Sequence, residues 1–261
     1  MERKMEYERL DAALIGEDSP VPVSVLRTVD STNTEARRRL LDGEPMPQAI
    51  LAEEQTAGRG RMGRSFYSPD GTGIYLTLCF SVRENDPLFL TTAAAVAVHR
   101  AIRNVTGIAL AIKWVNDLYH RGRKVSGILA ESLTIGDGRY VILGVGVNLY
   151  TTDFPEELRD VAGGLSNAAT GLRNRLAKAL LRELSLLMGE IDSEEYMKLY
   201  REYSMVLGER VVYIENGKAY EGVVTSIDER GRLTVKQTDG REKILASGEI
   251  TLRLNSGESE K

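Results

Sequence analysis

Gly58-Arg59-Gly60-Arg61-Met62-Gly63-Arg64 is followed by SFYSPDGTG over residues 65–73 and then by the apolar stretch IYLTLCFSV, Ile74 to Val82. Gly58, Gly60 and Gly63 match G-x-G-x-x-G, the pattern of a dinucleotide-binding turn. Such a turn must leave a strand and open a helix whose N-terminus faces a pyrophosphate. The strand side is present in QAILAEE, residues 48–54. The helix side is missing. After Gly63 there is no 3.6-residue apolar period, Pro69, Gly71 and Gly73 interrupt, and the next element is itself a strand. A Rossmann sheet is thereby rejected, leaving a glycine-rich loop between two strands.

The loop holds three arginines and no acidic residue. Its glycines let backbone N–H groups approach a ligand closely. Its guanidinium forks suit phosphate and carboxylate. A loop of this kind can close over an anion, and with no apolar anchors it is expected to be disordered without ligand. A solvated loop or an RGG-like nucleic-acid patch fits the heptad too. Ala111-Ile112-Lys113 imitates the end of a kinase V-A-I-K motif, but H-R-D-L-x-x-x-N and D-F-G are absent. No glycine run ends in Gly-Lys-Ser/Thr, so there is no Walker loop.

The 261 residues suffice for one large domain, or a large and a small one. A net charge of −4 argues against nucleic-acid binding by the whole surface. One cysteine, Cys79, permits neither an internal disulfide nor a cysteine metal site. MERKMEYERLDAAL has no apolar core of signal-peptide length, and no apolar run reaches a membrane span. A cytoplasmic enzyme is expected.

VSVLRTV (23–29) reads as a strand, and Thr32 with Glu35 fits a capping box opening a helix through Leu41. Pro87 opens a long helix stopped at Gly107, followed by strands ALAIKWV, KVSGILAESL and RYVILGVGV. Helices follow over Leu172–Met188 and Ser193–Tyr203. From residue 207 the turn pairs Asn216-Gly217, Arg230-Gly231 and Asp239-Gly240 recur at the spacing of short barrel strands. The expected fold is α+β. A mixed, mostly β sheet with helices on one side spans residues 1–206, an SH3-like β-barrel spans 207–254, and 255–261 is a disordered tail. The barrel, marginal alone at about 45 residues, should lean on the larger domain.

In this order the chain resembles the biotin–protein ligases, over nearly its whole length. The marks are Ser31-Thr32-Asn33, GRGRMGR, Gly71-Thr72-Gly73-Ile74-Tyr75, KWVND (113–117), KVSGILAE (124–131) and Gly144-Val145-Gly146-Val147-Asn148. Met62 stands where many members carry a basic residue, Val115 where proline is common, and Phe66 replaces a frequent tryptophan. About thirty residues precede Ser31, too few for the helix-turn-helix of the DNA-binding members. The resemblance thus implies a ligase without that function.

The resemblance implies ATP-dependent activation of biotin to biotinyl-5′-AMP, then transfer to a lysine of a biotin carboxyl carrier domain of a carboxylase or decarboxylase. It assigns Arg59 to the biotin carboxylate and adenylate phosphate, Arg61 to holding the adenylate, and Lys113 to the space between carboxylate and α-phosphate. Ser31, Thr32, Asn33, Gln55, Gly58 and Gly127 fall to biotin. Gly60, Arg64, Phe66 and Asn148 fall to ATP or the adenylate. Trp114 and Phe66 read as apolar walls or as simple core. Mg²⁺ is implied by the ATP chemistry, with Asn116, Asp117 and Glu131 as candidate ligands. Open strand edges leave room for a homodimer. The rivals are a lipoate or octanoate ligase or transferase on the same fold, and a nucleic-acid-binding module that uses the Gly/Arg loop.

Overall fold

A computed structural model describes residues 8–83, 86–166, 171–189, 191 and 193–252. The elements of the larger part are α1 (Ala12–Gly16), β1 (Val23–Val29), α2 (Thr32–Leu41), β2 (Gln48–Gln55), β3 (Gly73–Ser81), α3 (Pro87–Thr106), β4 (Ala111–Lys113), β5 (Asp117–His120), β6 (Arg123–Ile135), β7 (Gly138–Asn148), α4 (Arg173–Ser185) and α5 (Ser193–Tyr203). Strands β8 (Arg210–Glu215), β9 (Lys218–Ile227), β10 (Leu233–Gln237), β11 (Glu242–Leu245) and β12 (Ile250–Leu252) follow.

The first seven strands form one sheet in the order β1-β2-β3-β7-β6-β5-β4. Only β1 and β2 run parallel; the other neighbours are antiparallel. Because side chains alternate along a strand, each central strand serves two faces. Ala49, Leu51, Leu76, Leu78, Leu143 and Val145 face a large core with α1, α3, α4 and α5. Ile50, Cys79 and Ile142 face the other way, onto Ala36 and Leu40 of α2. The helical layer expected on one side is present, and α2 is an addition on the opposite face. That face carries the site.

Local signals explain the long elements. Asp86 caps α3 by accepting from the Leu88 and Phe89 amides, Pro87 opens it, and Gly107 ends it at φ 75°. The capping box expected at Thr32 does not form. Ser31 is the N-cap, and Glu35 instead pairs with Arg38 and Arg39 at 3.0 Å each. Strand β4 stops at Lys113 instead of continuing through Val115, while β5 and the short α1 carry no sequence signal strong enough to expect them.

The last five strands form an antiparallel sheet, β11-β10-β9-β8-β12. Asn216 and Gly217 both take positive φ in its first hairpin, which suits the strands' twist. Its inner residues Val211, Val224, Leu233 and Val235 join the same core as the large sheet. The smaller unit thus leans on the larger one. No described helix is long and apolar enough to cross a membrane. The tail expected at 255–261 lies outside the described residues.

Candidate functional site

A trough opens on the α2 face of the large sheet, and glycines make its floor. In the β6–β7 pair Gly127 lies opposite Gly146, and Leu129 opposite Gly144. A Cβ on Gly144 would stand 2.1 Å from Asn33 Oδ1, and one on Gly146 would stand 2.5 Å from the Phe66 ring. The missing side chains let Asn33 and Phe66 lie close against the sheet at the trough.

A row of short polar groups lines the trough. Ser31, Thr32 and Asn33, all buried, sit at the start of α2. Gln55 Oε1 accepts from the Thr32 amide at 2.8 Å, and Gln55 Nε2 donates to Ser68 at 2.8 Å. The Thr77 hydroxyl lies 2.7 Å from Asn33 Oδ1 and 2.8 Å from the Thr32 hydroxyl. This bonding fixes the side chains on the sheet and orients them before any ligand arrives.

The arginine loop also lines the trough. Where disorder is expected, the chain forms a small hairpin, with Gly60 N–H on the Arg64 carbonyl at 2.7 Å and Phe66 N–H on the Gly58 carbonyl at 2.8 Å. Gly58 does not line the trough. Its Cβ would meet the Phe66 carbonyl at 2.4 Å, so hairpin closure, not contact with a ligand, requires glycine there. Arg59, Gly60, Arg61, Arg64 and Phe66 do line the trough. Arg61 donates to Asn116 Oδ1 at 3.0 Å, and Arg64 pairs with Glu249 of the second sheet at 2.5 Å.

Lys124, beside Gly127, lines the trough and pairs with Asp117 at 2.7 Å. Lys113 lies opposite Asp117 on the same face of the sheet, with its ammonium 5.8 Å from the centre of the Tyr119 ring. Burial pushes the Lys113 pKa down, against the opposing pull of Asp117 and Glu249. Asn148 is off the trough, buried at the end of β7 with its side-chain oxygen unbonded among the described residues. Trp114 is no wall of the trough: its indole donates to Gly231 of the second sheet.

Residues 25–148 match the model of the biotin/lipoate A/B protein ligase family, and residues 206–253 match the biotin protein ligase C-terminal domain. The biotin–[acetyl-CoA-carboxylase] ligase of Mycobacterium tuberculosis is 33% identical, over 87% of this chain and 88% of that protein. The bifunctional ligase/repressor BirA of Bacillus subtilis is 33% identical over 84% of this chain and 70% of its own length. The chain belongs to the biotin protein ligase family. Its fold superposes on the Aquifex aeolicus biotin protein ligase in complex with biotin and ATP, with a TM-score of 0.74, 28% identity, and 88% and 98% of the two chains covered.

This ligase family member brings together most of the residues expected at the site, and also Lys124, Gly144, Gly146 and Glu249, which were not expected. The motifs KVSGILAE and GVGVN contain three of them, but not a sign of which side chains face the trough. The metal candidates fare differently. Asn116 accepts from Arg61, Asp117 pairs with Lys124, and Glu131 binds Arg59 and Arg37. Each already serves a cation, so none suits Mg²⁺. Among the described residues no group of three or more His, Cys, Asp or Glu could hold a metal.

Proposed function

We propose that the protein activates biotin with ATP to biotinyl-5′-AMP and transfers the biotinyl group to a lysine of a biotin carboxyl carrier domain of a carboxylase or decarboxylase. One observation carries this reading: a glycine-floored trough is lined both by the amides and hydroxyls of Ser31, Thr32, Asn33 and Gln55 and by Arg59, Arg61, Arg64 and Lys124. The row suits a ureido ring, which needs donors and acceptors in a sheltered place. The cations suit a carboxylate and a phosphate brought together.

In the first step a biotin carboxylate oxygen attacks the α-phosphorus, and the bond to pyrophosphate breaks. In the second a carrier amine attacks the acyl carbon, and AMP leaves. Negative charge concentrates at the same place in both steps. Donors placed there beforehand need no reorganisation, and each contributes roughly 3 kcal/mol. Lys113 takes the point-charge role between carboxylate and phosphate: the strand register sets it opposite Asp117, and Asp117 opposite Gly127 of the trough floor, with Lys124 paired to the same Asp117. Mg²⁺ would arrive on the nucleotide's phosphates and water, since the nearby oxygens already serve cations.

The catalytic unit in this reading runs to about residue 206 and the smaller unit begins at 207, with Glu249 reaching back to the loop. The setting is cytoplasmic, no DNA is involved, and a second copy would pair at the β1 edge of the large sheet, since β4 at the other edge already bridges Ser204. A lipoate or octanoate site would call for a long narrow apolar tunnel, whereas this trough is lined by Ser31, Thr32, Asn33 and Gln55. A nucleic-acid module fits poorly with a net charge of −4.

ATP–pyrophosphate exchange with biotin, lipoate and octanoate supplied in turn tests the reading without an acceptor. Exchange with biotin alone is expected. Exchange only with another acid would reassign the substrate, and exchange with none would overturn the enzyme reading.

A further inference from the structure

Glu131 lies on β6 just outside the trough wall, with its side chain 16% exposed. Its two carboxylate oxygens accept from the two terminal nitrogens of Arg59, each at 2.9 Å. Asn33 Nδ2 donates to the same carboxylate at 3.0 Å, and Arg37 stands at 3.5 Å. From Asn33 the bonding continues through Thr77 to Thr32 and on to Gln55. A continuous chain of polar contacts therefore joins the loop's first arginine to the polar row.

We propose that Glu131 is a positioning residue that sets the Arg59 guanidinium at the trough mouth and ties the arginine loop to the polar row. The proposal rests on the ligase reading. A carboxylate bound to both terminal nitrogens fixes the plane of a guanidinium. Three of its five N–H groups, including Nε–H, remain for a ligand. Arg59 is 43% exposed, and a long side chain at that exposure has many competing rotamers unless something holds it. Without Glu131, Arg59 would have to be ordered by the substrate at the moment of binding. Glu131 touches neither substrate in this arrangement; it acts through Arg59.

Glu131→Gln is the informative change, because it keeps the size but turns an amide N–H₂ or a neutral oxygen toward the guanidinium. In biotin-dependent ATP–pyrophosphate exchange, kcat/KM for ATP should fall about tenfold with the melting temperature unchanged. In an Arg59→Ala background the same substitution should cost less than about twofold, because the two residues act as one unit. Trypsin should cut the ligand-free loop faster in Glu131→Gln than in the parent. Should Glu131→Gln fail to fold, Glu131→Asp keeps the charge but withdraws it from Arg59, and it serves the same comparisons. Parental kcat/KM, a gain in activity, or losses that multiply with Arg59→Ala would overturn the proposal. If the parent protein shows no exchange while Glu131→Gln still speeds loop cleavage, the ligase reading falls and the Arg59–Glu131 latch stands. Exchange in the parent with no change in either readout removes the latch alone.

Discussion

The indole Nε1 of Trp114 donates to the carbonyl of Gly231 at 2.8 Å, and both residues are buried. The bond ties the turn between β4 and β5 to the turn between β9 and β10. Tyr200 holds the same turn from α5 by donating to the Val115 carbonyl at 3.2 Å, and Asn116 at its end accepts from Arg61. The second sheet is thus joined to the turn that meets the arginine loop.

Trp114→Phe should keep most of the apolar contact and leave the Gly231 carbonyl buried without its partner. An orphaned buried acceptor costs about 1–3 kcal/mol. Thermal unfolding should show a melting temperature lower by several degrees. Pyrophosphate exchange should fall as well, because the turn that carries Asn116 loses one of its supports. A variant with parental melting and parental exchange would show that the bond holds nothing together.

The two lysines share Asp117. Lys113→Ala should reduce pyrophosphate exchange by about a hundredfold or more, the scale seen when one preorganised donor is removed. Lys124→Ala should cost less than about tenfold, since Lys124 is already paired with Asp117. The reverse order of effects would move the central role to Lys124.

Local signals made much of this fold legible. The span of β1 follows from the run VSVLRTV, and α3 is bounded by Pro87 and Gly107, whose backbone restrictions are written in the residue type. What the sequence could not reveal depends on pairing between distant segments. Lys113 and Lys124 are the same residue type on neighbouring parts of one antiparallel array. That both converge on Asp117 depends on where β4 ends and on the register shift between Leu118 and Tyr119 in β5. The second face of the sheet was hidden for a similar reason. Ile50, Cys79 and Ile142 are single apolar residues within strands buried on both sides, so no alternation of apolar and polar marks the face that α2 covers. The packing need for glycine at 58 was hidden as well, because only the folded hairpin reveals how near the Phe66 carbonyl lies.

Gly144 offers a test in which one clash should be relieved by a second change. A methyl group there would lie 2.1 Å from Asn33 Oδ1, so Asn33 must move and give up its contacts with Thr77, Glu131 and the Leu129 carbonyl. Overpacking at a site this tight costs about 1–3 kcal/mol. Gly144→Ala should therefore lower the melting temperature and raise KM for biotin, because the displaced amide belongs to the polar row. Asn33→Ala removes the obstructing atoms. The double variant should melt higher than Gly144→Ala alone, a sign reversal that independent sites cannot produce. It should still bind biotin weakly, since the Asn33 amide is gone. If the double variant melts lower than either single one, the clash is not what makes Gly144 necessary, and the glycine floor would need another explanation.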